Sequence, residues 1–480
     1  MATSGSSPLC SASPGERLHD EAPTMRPRLR IFLLLTCLWS CLAANAAAST
    51  PDIGTSADRI LDRLVDPMGP GVSVIVFRDD KVVYRSARGL ASVELGVHSR
   101  PGNVYRIGSL TKTMTAATIL TLARQGRLSL DDSLSMFLPD FPNGKDVTIA
   151  ELLHHTAGIS DAWDSDPATP LDTKASVKLI AGQPFDFKPG SQWRYSNSGY
   201  ILLGAVIEKV SGKSWDQAEH DLLFTPLHMT DTGYHPDHVV IPGFVEGYST
   251  DDAGRLARPG FASIAGPAAA GALCSTVDDL LRLIRGLADP GTSQPSLFQA
   301  MAVPAPLADG RTAPYGYGVM LGDVRGEPSI EHNGGIEGFT AHYVYLPRRR
   351  IAVVTLANTD AGIPNPRSIT RQLAALAMGK PYRRFQDVEL TPTRLQALAG
   401  AYRIQGGSKH VLSVDHGKLF VRRDQGPARP LMTAASDDLY YVGDGTDYYH
   451  VVKGHEGRVI GLDFHADGAE AVRREMRIEE

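Results

Sequence analysis

The sequence predicts a mixed α/β fold, a sheet with a helical cluster, followed by a small antiparallel β domain. Three observations carry that prediction. Strand-like runs stand at both ends of the first 380 residues: "GVSVIVFRDDKVVYRSARG" from residue 71, then 315–322, 339–346 and 351–358. Helix-patterned segments fill the interval between them. After residue 394 the texture changes to short alternating strands with Gly/Asp turns, such as "VLSVDHGKLFVRRD" and "DYYHVVKGHEGRVIGLDFHAD". A chain of 480 residues suits two or three domains.

Taken in order, residues 57–66 read as a helix with Ile60, Leu61 and Leu64 on one face. The 71–89 run reads as two strands joined by a tight turn at Arg78-Asp79-Asp80. Residues 109–125 read as a helix apolar on most of its circumference, hence buried. "VTIAELLHHTAGIS" carries a Thr148–Glu151 capping box and a stop at Gly158. "SGYILLGAVIEKVSG" is an apolar helix ended by Gly212, and Ser275/Thr276 with Asp278/Asp279 cap another. The early and late strands are expected to share one sheet. Residues 381–394, charged and Pro-containing, read as a linker, and 395–480 as the β domain. Tyr440, Tyr441, Tyr448 and Tyr449 are expected to pack within it.

Composition excludes several classes. The chain is 42% hydrophobic and 21% charged, with a net charge of −5, so no basic balance points to nucleic acid. The longest basic run, Arg348 to Arg350, lies between two strand-like stretches and reads as a solvated turn. From Met25 the chain has a basic segment (Arg26, Arg28, Arg30), an apolar stretch from Ile31 to Ala44, and the small pair Ala44 and Ala46 around Asn45. This reads as a signal peptide over 25–48 and predicts export to the periplasm or the medium. The apolar stretch is short of the roughly 20 residues a membrane span needs, so no span is expected after cleavage. Residues 1–24 read as an upstream extension or a mis-assigned start. Beyond the signal only Cys274 remains, which excludes an internal disulfide and a Cys zinc site and reads as a packing residue.

The chemistry concentrates in "RIGSLTKTMTAATIL". Ser109 and Lys112 stand three apart, on one face of a helix start. A serine hydroxyl needs a base to take its proton, and a lysine can serve when burial lowers its pKa. Lys112 is the only lysine with a serine three residues before it. Tyr195-Ser196-Asn197 is the only Tyr-x-Asn in the chain, and His332-Asn333-Gly334-Gly335 precedes a strand-like run. His154-His155 does not have metal-ligand spacing, and neither a P-loop nor a G-x-S-x-G elbow occurs. No metal and no cofactor are expected.

With these three motifs in order, the chain resembles the serine β-lactamase and penicillin-binding protein superfamily, in its class C-like branch of esterases, D-aminopeptidases and DD-peptidases. The resemblance covers roughly residues 52–375 and includes "VTIAELLHHTAGI", "FDFKPGSQWRYSNSGYILLGAVIEKVSG" and "YGYGVML". It implies a penicillin-recognising serine hydrolase fold over 51–380, an antiparallel sheet flanked by helices with a helical subdomain. The tail resembles the lipocalin-like or half-barrel modules of some relatives. By the same resemblance Ser109 is the nucleophile, Lys112 and Tyr195 jointly shuttle its proton, and Asn197 bonds the substrate amide or the Lys112 ammonium. Gly334 and Gly335 are implied as substrate-binding or oxyanion residues, with the backbone N–H groups of Ser109 and Gly335 holding the oxyanion. His332 stands where the family's K-T-G variant has a lysine. It is expected to face the substrate's carboxylate side, with an ordinary histidine pKa of about 6.5. That departure argues for an ester, amide or D-amino-acid peptide substrate. A β-lactamase proper and an acylatable sensor without turnover are the alternatives. The sequence leaves the substrate and the oligomeric state open.

Overall fold

The computed structural model describes residues 53–162, 171–291, 295–404, 407–441, 446–468 and 472–478. The expected signal peptide and the segment before it lie outside these residues. Helix α1 (Ile53–Leu64) buries Ala57, Leu61 and Leu64, one face at helical spacing. It leads into β1 (Val72–Arg78) and β2 (Lys81–Arg88). Asp79 and Asp80, both at positive φ (50° and 63°), make the two-residue turn between them.

The helical cluster follows. Helix α2 (Thr111–Arg124) is buried on nearly every side, as its all-round apolar pattern predicts. Helix α3 (Ile149–His154) starts from the expected capping box: Thr148 Oγ1 accepts from Glu151 N at 3.2 Å, and Glu151 Oε2 accepts from Thr148 N at 2.8 Å. It ends before the expected stop. His155 takes the left-handed conformation (φ 61°), while Gly158 (φ 72°) turns the following loop, where a Cβ would stand 2.0 Å from Phe187 O. Helix α4 (Asn197–Ser211) ends at Gly212 (φ 75°), and α5 (Val277–Ala288) is capped by Thr276, whose side chain accepts from Asp279 N.

The chain then returns as β3 (Met320–Val324), β4 (Glu327–Ile336), β5 (Phe339–Leu346) and β6 (Ile351–Ala357). One antiparallel sheet results, in the order β3-β4-β5-β6-β1-β2. The early and late strands do share it, with Val74 opposite Thr355. Residues of β1 alternate between two cores. Ile75 and Phe77 face the helical cluster, and Val72, Val74 and Val76 face α1 and helix α6 (Pro366–Ala377). Strand β3 pairs with β4 only as far as Glu331, so, among the described residues, 332–336 of β4 have no strand partner on that edge.

Helix α7 (Pro392–Leu398) precedes eight strands: β7 (Gly400–Arg403), β8 (Lys409–Asp415), β9 (Lys418–Arg423), β10 (Arg429–Thr433), β11 (Asp438–Tyr441), β12 (Tyr448–Lys453), β13 (Val459–His465) and β14 (Arg473–Arg477). They close into an antiparallel barrel, sealed where Tyr402 of β7 pairs with Arg477 of β14. Closure leaves no open edge. The four tyrosines pack as expected, in two directions. Tyr441 and Tyr449 enter the barrel core with their hydroxyls 2.7 Å apart, and Tyr440 and Tyr448 pack outward around Phe385. The barrel is tied to the sheet domain by Asp467, between β13 and β14. Its carboxylate takes two hydrogen bonds from Arg371 of α6 (2.7 and 2.6 Å). Arg371, 3% exposed, also reaches Glu331 of β4 at 3.0 Å.

Candidate active site

Ser109 sits on a single 3₁₀ turn, Gly108–Leu110, immediately before α2. Two glycines let this turn touch β4. Gly108 has φ 52°, and a Cβ there would stand 2.7 and 2.8 Å from the carbonyl oxygen and nitrogen of Gly335. A Cβ on Gly334 would stand 2.0 Å from Ile107 O. Gly334 is thus a buried packing position rather than a substrate contact. Gly335 is exposed, with open space where its side chain would be. Thr111 locks the turn: its hydroxyl donates to Gly108 O at 2.8 Å and accepts from Leu273 N at 3.3 Å.

Lys112 is wholly buried, and its Nζ has three neighbours: Ser109 Oγ at 3.1 Å, Asn197 Oδ1 at 2.8 Å and Ala270 O at 2.8 Å. Burial brings its pKa down to about 7, against the opposing charge of Asp161. The geometry fixes what a neutral amine would do. Two of the neighbours can only accept, so they take its two N–H groups. The remaining lone pair is left for the hydroxyl of Ser109.

Burial pushes the pKa of Tyr195 up, against a smaller opposing influence of the Ser109 hydroxyl, so it stays a neutral phenol. Its ring lies 4.8 Å from Lys112 Nζ. The extended run before α4 is held to the end of α3, with Arg194 N donating to His155 O and Ser196 N to His155 Nδ1, both at 3.1 Å. The His155 ring packs against Tyr195 with centroids 4.3 Å apart. Burial, then the charge of Lys112, holds its pKa well below the usual value. Its neighbour His154 turns away and stacks on Tyr317 at 4.2 Å, so the pair shares no ligand. Among the described residues no group of side chains has metal-binding geometry.

Asn197 opens α4, whose cap Ser196 accepts from Gly199 N. The Asn197 Nδ2 donates to Asp161 at 3.0 Å, and Ser198 N donates to the other carboxylate oxygen at 2.9 Å. This pins the amide so that Oδ1 faces Lys112. Asp161 and the Ala270 carbonyl lie outside the motifs, and His155 and Tyr315, which fall within quoted stretches, were given no role at the site. They reach the site only through tertiary contacts.

His332 departs from expectation. Its ring is buried and not exposed to a substrate carboxylate. Nδ1 lies 2.7 Å from Asn333 O, which can only accept, so the proton is on Nδ1. Nε2 therefore accepts from the Tyr315 hydroxyl at 2.9 Å. Burial lowers the pKa to about 3. The histidine is neutral throughout the working range because Tyr315 covers it and supplies a donor that needs a neutral ring.

With this arrangement in view, comparison with known proteins is informative. A family profile described as Beta-lactamase matches residues 57–378. Protein flp of Staphylococcus aureus (strain COL) is 28% identical over 301 residues, 61% of this chain and 60% of that protein. A D-aminopeptidase of Gluconobacter oxydans (strain 621H) is 26% identical over 341 residues, 70% of this chain and 63% of that protein. The chain thus spans less than two thirds of the length of these curated relatives. Among solved structures, the octameric penicillin-binding protein homologue from Pyrococcus abyssi superposes with a TM-score of 0.62 at 25% identity, covering 88% of this chain and all of that one.

Proposed function

The chain belongs to the Beta-lactamase family of hydrolases, and from that premise we propose that it cleaves an ester or amide through a covalent acyl-Ser109 intermediate. The observation that carries the reading is the environment of Lys112. It is buried, with two obligate acceptors on Nζ and the nucleophile's hydroxyl as the third neighbour. In the proposed cycle neutral Lys112 takes the Ser109 proton as Oγ attacks the carbonyl carbon. The Tyr195 phenol, whose ring lies beside Lys112 Nζ, passes a proton to the leaving alcohol or amine and is reprotonated from Lys112. The developing oxyanion is held by the backbone N–H groups of Ser109 and Gly335. A water molecule, deprotonated by the same pair, then releases the acid and restores Ser109.

A dedicated β-lactamase fits less well. A fixed cation for the β-lactam carboxylate is missing at His332, which is neutral and covered. The name of the Gluconobacter relative adds D-aminoacyl amides to the substrate classes worth testing. The test is a fluorophosphonate probe together with p-nitrophenyl acetate, nitrocefin and D-alanyl amides. We expect one labelled site, ester turnover well above nitrocefin turnover, and loss of both labelling and turnover in Ser109→Ala. Labelling that survives in the mutant overturns the mechanism. We propose export on the strength of the 25–48 segment: expressed with its own N-terminus in a bacterium, the protein should be recovered outside the cytoplasm with that segment removed. An uncleaved cytoplasmic product would refute this.

A further inference from the structure

We infer that Asp161 is a specificity-determining carboxylate that selects substrates whose acyl portion carries an ammonium group, that is, aminoacyl esters and amides. The inference rests on the acyl-Ser109 reading above. Asp161 is exposed, yet it is not a free surface acid. Its two oxygens are fixed by Asn197 Nδ2 at 3.0 Å and by the Ser198 backbone N–H at the start of α4 at 2.9 Å. A carboxylate offers about four acceptor positions. Two are spent on these contacts, and the rest are available on its exposed side.

Its place relative to the nucleophile is set by an unbroken line of hydrogen bonds: Asp161 to Asn197, Asn197 to Lys112, and Lys112 to Ser109. The charge is close enough to act on both Lys112 and Tyr195. A polar group on the acyl side of a substrate, lying along Asn197, therefore meets a fixed negative charge. The electrostatics are one-sided. The motif position that holds a lysine in the K-T-G variant of the family holds a covered, neutral histidine here. An anionic acyl group would face Asp161 without that cation. A cationic one gains a charge-assisted hydrogen bond at a preorganised acceptor.

A purely structural role, capping α4 and orienting Asn197, would affect all substrates alike, and this separates the two. The experiment compares kcat/KM for the p-nitroanilides of D- and L-alanine with that for their N-acetyl derivatives. Each pair shares a leaving group and a carbon skeleton and differs in charge. Wild type should prefer the free amine of at least one enantiomer. Asp161→Asn, which keeps an acceptor for Ser198 N–H, should reduce that preference at least about tenfold, mainly through KM, the scale of one charge-assisted hydrogen bond. Asp161→Glu, which keeps the charge, should retain a preference for the amine. It decides the matter if the Asn variant does not fold. A wild type that cleaves neither member, or favours the N-acetyl member, overturns the inference, as does an equal loss on both in Asp161→Asn or loss of the preference in Asp161→Glu. p-Nitrophenyl acetate turnover in Ser109→Ala is measured alongside. If it persists, the acyl-serine reading has failed; if it is abolished, a negative result belongs to Asp161.

Discussion

In the proposed cycle Lys112 acts only when its amine is neutral, so its titration should be visible in the rate. Burial holds its pKa near 7. Below that value the ammonium has no lone pair for Ser109, and above it the base is free. For a neutral ester, kcat/KM should rise with pH through about 7 and then stay level, because Tyr195 is pushed upward and cannot ionise in the same range. A bell with a falling limb between pH 8 and 9 would contradict this. Lys112→Arg keeps a cation that does not release its proton and should lower kcat at least about a hundredfold, with the rising limb lost. At His332 the consequence is stability rather than binding. A lysine there would have to seat an ammonium where the ring is fully buried against Tyr315. His332→Lys should therefore destabilise the protein by about 2–4 kcal/mol, read as a lower urea midpoint, without gaining β-lactam hydrolysis. Gain of nitrocefin turnover at unchanged stability would refute it. Ser109, Lys112, Tyr195 and Asn197 were legible in the sequence because short spacings bring each motif to a helix start. The burial of His332 was not, because its cover comes from Tyr315, outside the motif. Asp161 was likewise invisible, and His155 was seen only as a pair with His154, since their partners lie across loops that carry no periodic signal.

At the level of elements, the site depends on how closely β4 approaches the turn that carries Ser109. Consecutive glycines in β4 have opposite constraints. Gly334→Ala puts a methyl group on Ile107 O and must push strand and turn apart. It should cost about 1–3 kcal/mol, as overpacking of a tight contact does, and lower the rate of fluorophosphonate labelling. Gly335→Ala enters open space and should leave the urea midpoint within about 0.5 kcal/mol of wild type. Equal effects at the two positions would show that the approach is looser than described. Element type was readable where periodicity was long. Helices α2 and α4 and strands β1, β5 and β6 all appear near their expected positions. The end of α3 was misplaced because His155, not a glycine, adopts the left-handed cap. Its αL geometry is held by contacts to Arg194 and Ser196, which local sequence rules do not see.

At the scale of the whole molecule, the barrel is joined to the sheet domain by charge as well as by chain. Arg371 bridges Asp467 of the barrel and Glu331 of β4, the residue before His332. The stretch expected to be a linker is also packed, with Phe385 stacked on Tyr440 and Val388 N donating to Thr433 O. Asp467→Ala leaves the nearly buried Arg371 with one carboxylate instead of two. It should destabilise by about 2–3 kcal/mol, somewhat below a fully enclosed pair because Asp467 keeps a fifth of its surface. Thermal unfolding of the full-length protein checks this, and an unchanged midpoint would mean that the bridge contributes nothing. The tail's strand pattern was plain in the sequence, but closure was not, because no local signal states that β7 meets β14. The pairing of β1 with β6 has a consequence in time. During synthesis β1 and β2 leave the ribosome early, yet their neighbour in the sheet is completed only at Ala357. Closing so long a loop is slow, and until then the hairpin has no sheet to join. Until β6 has emerged, the edge of β1 that it covers has no native partner.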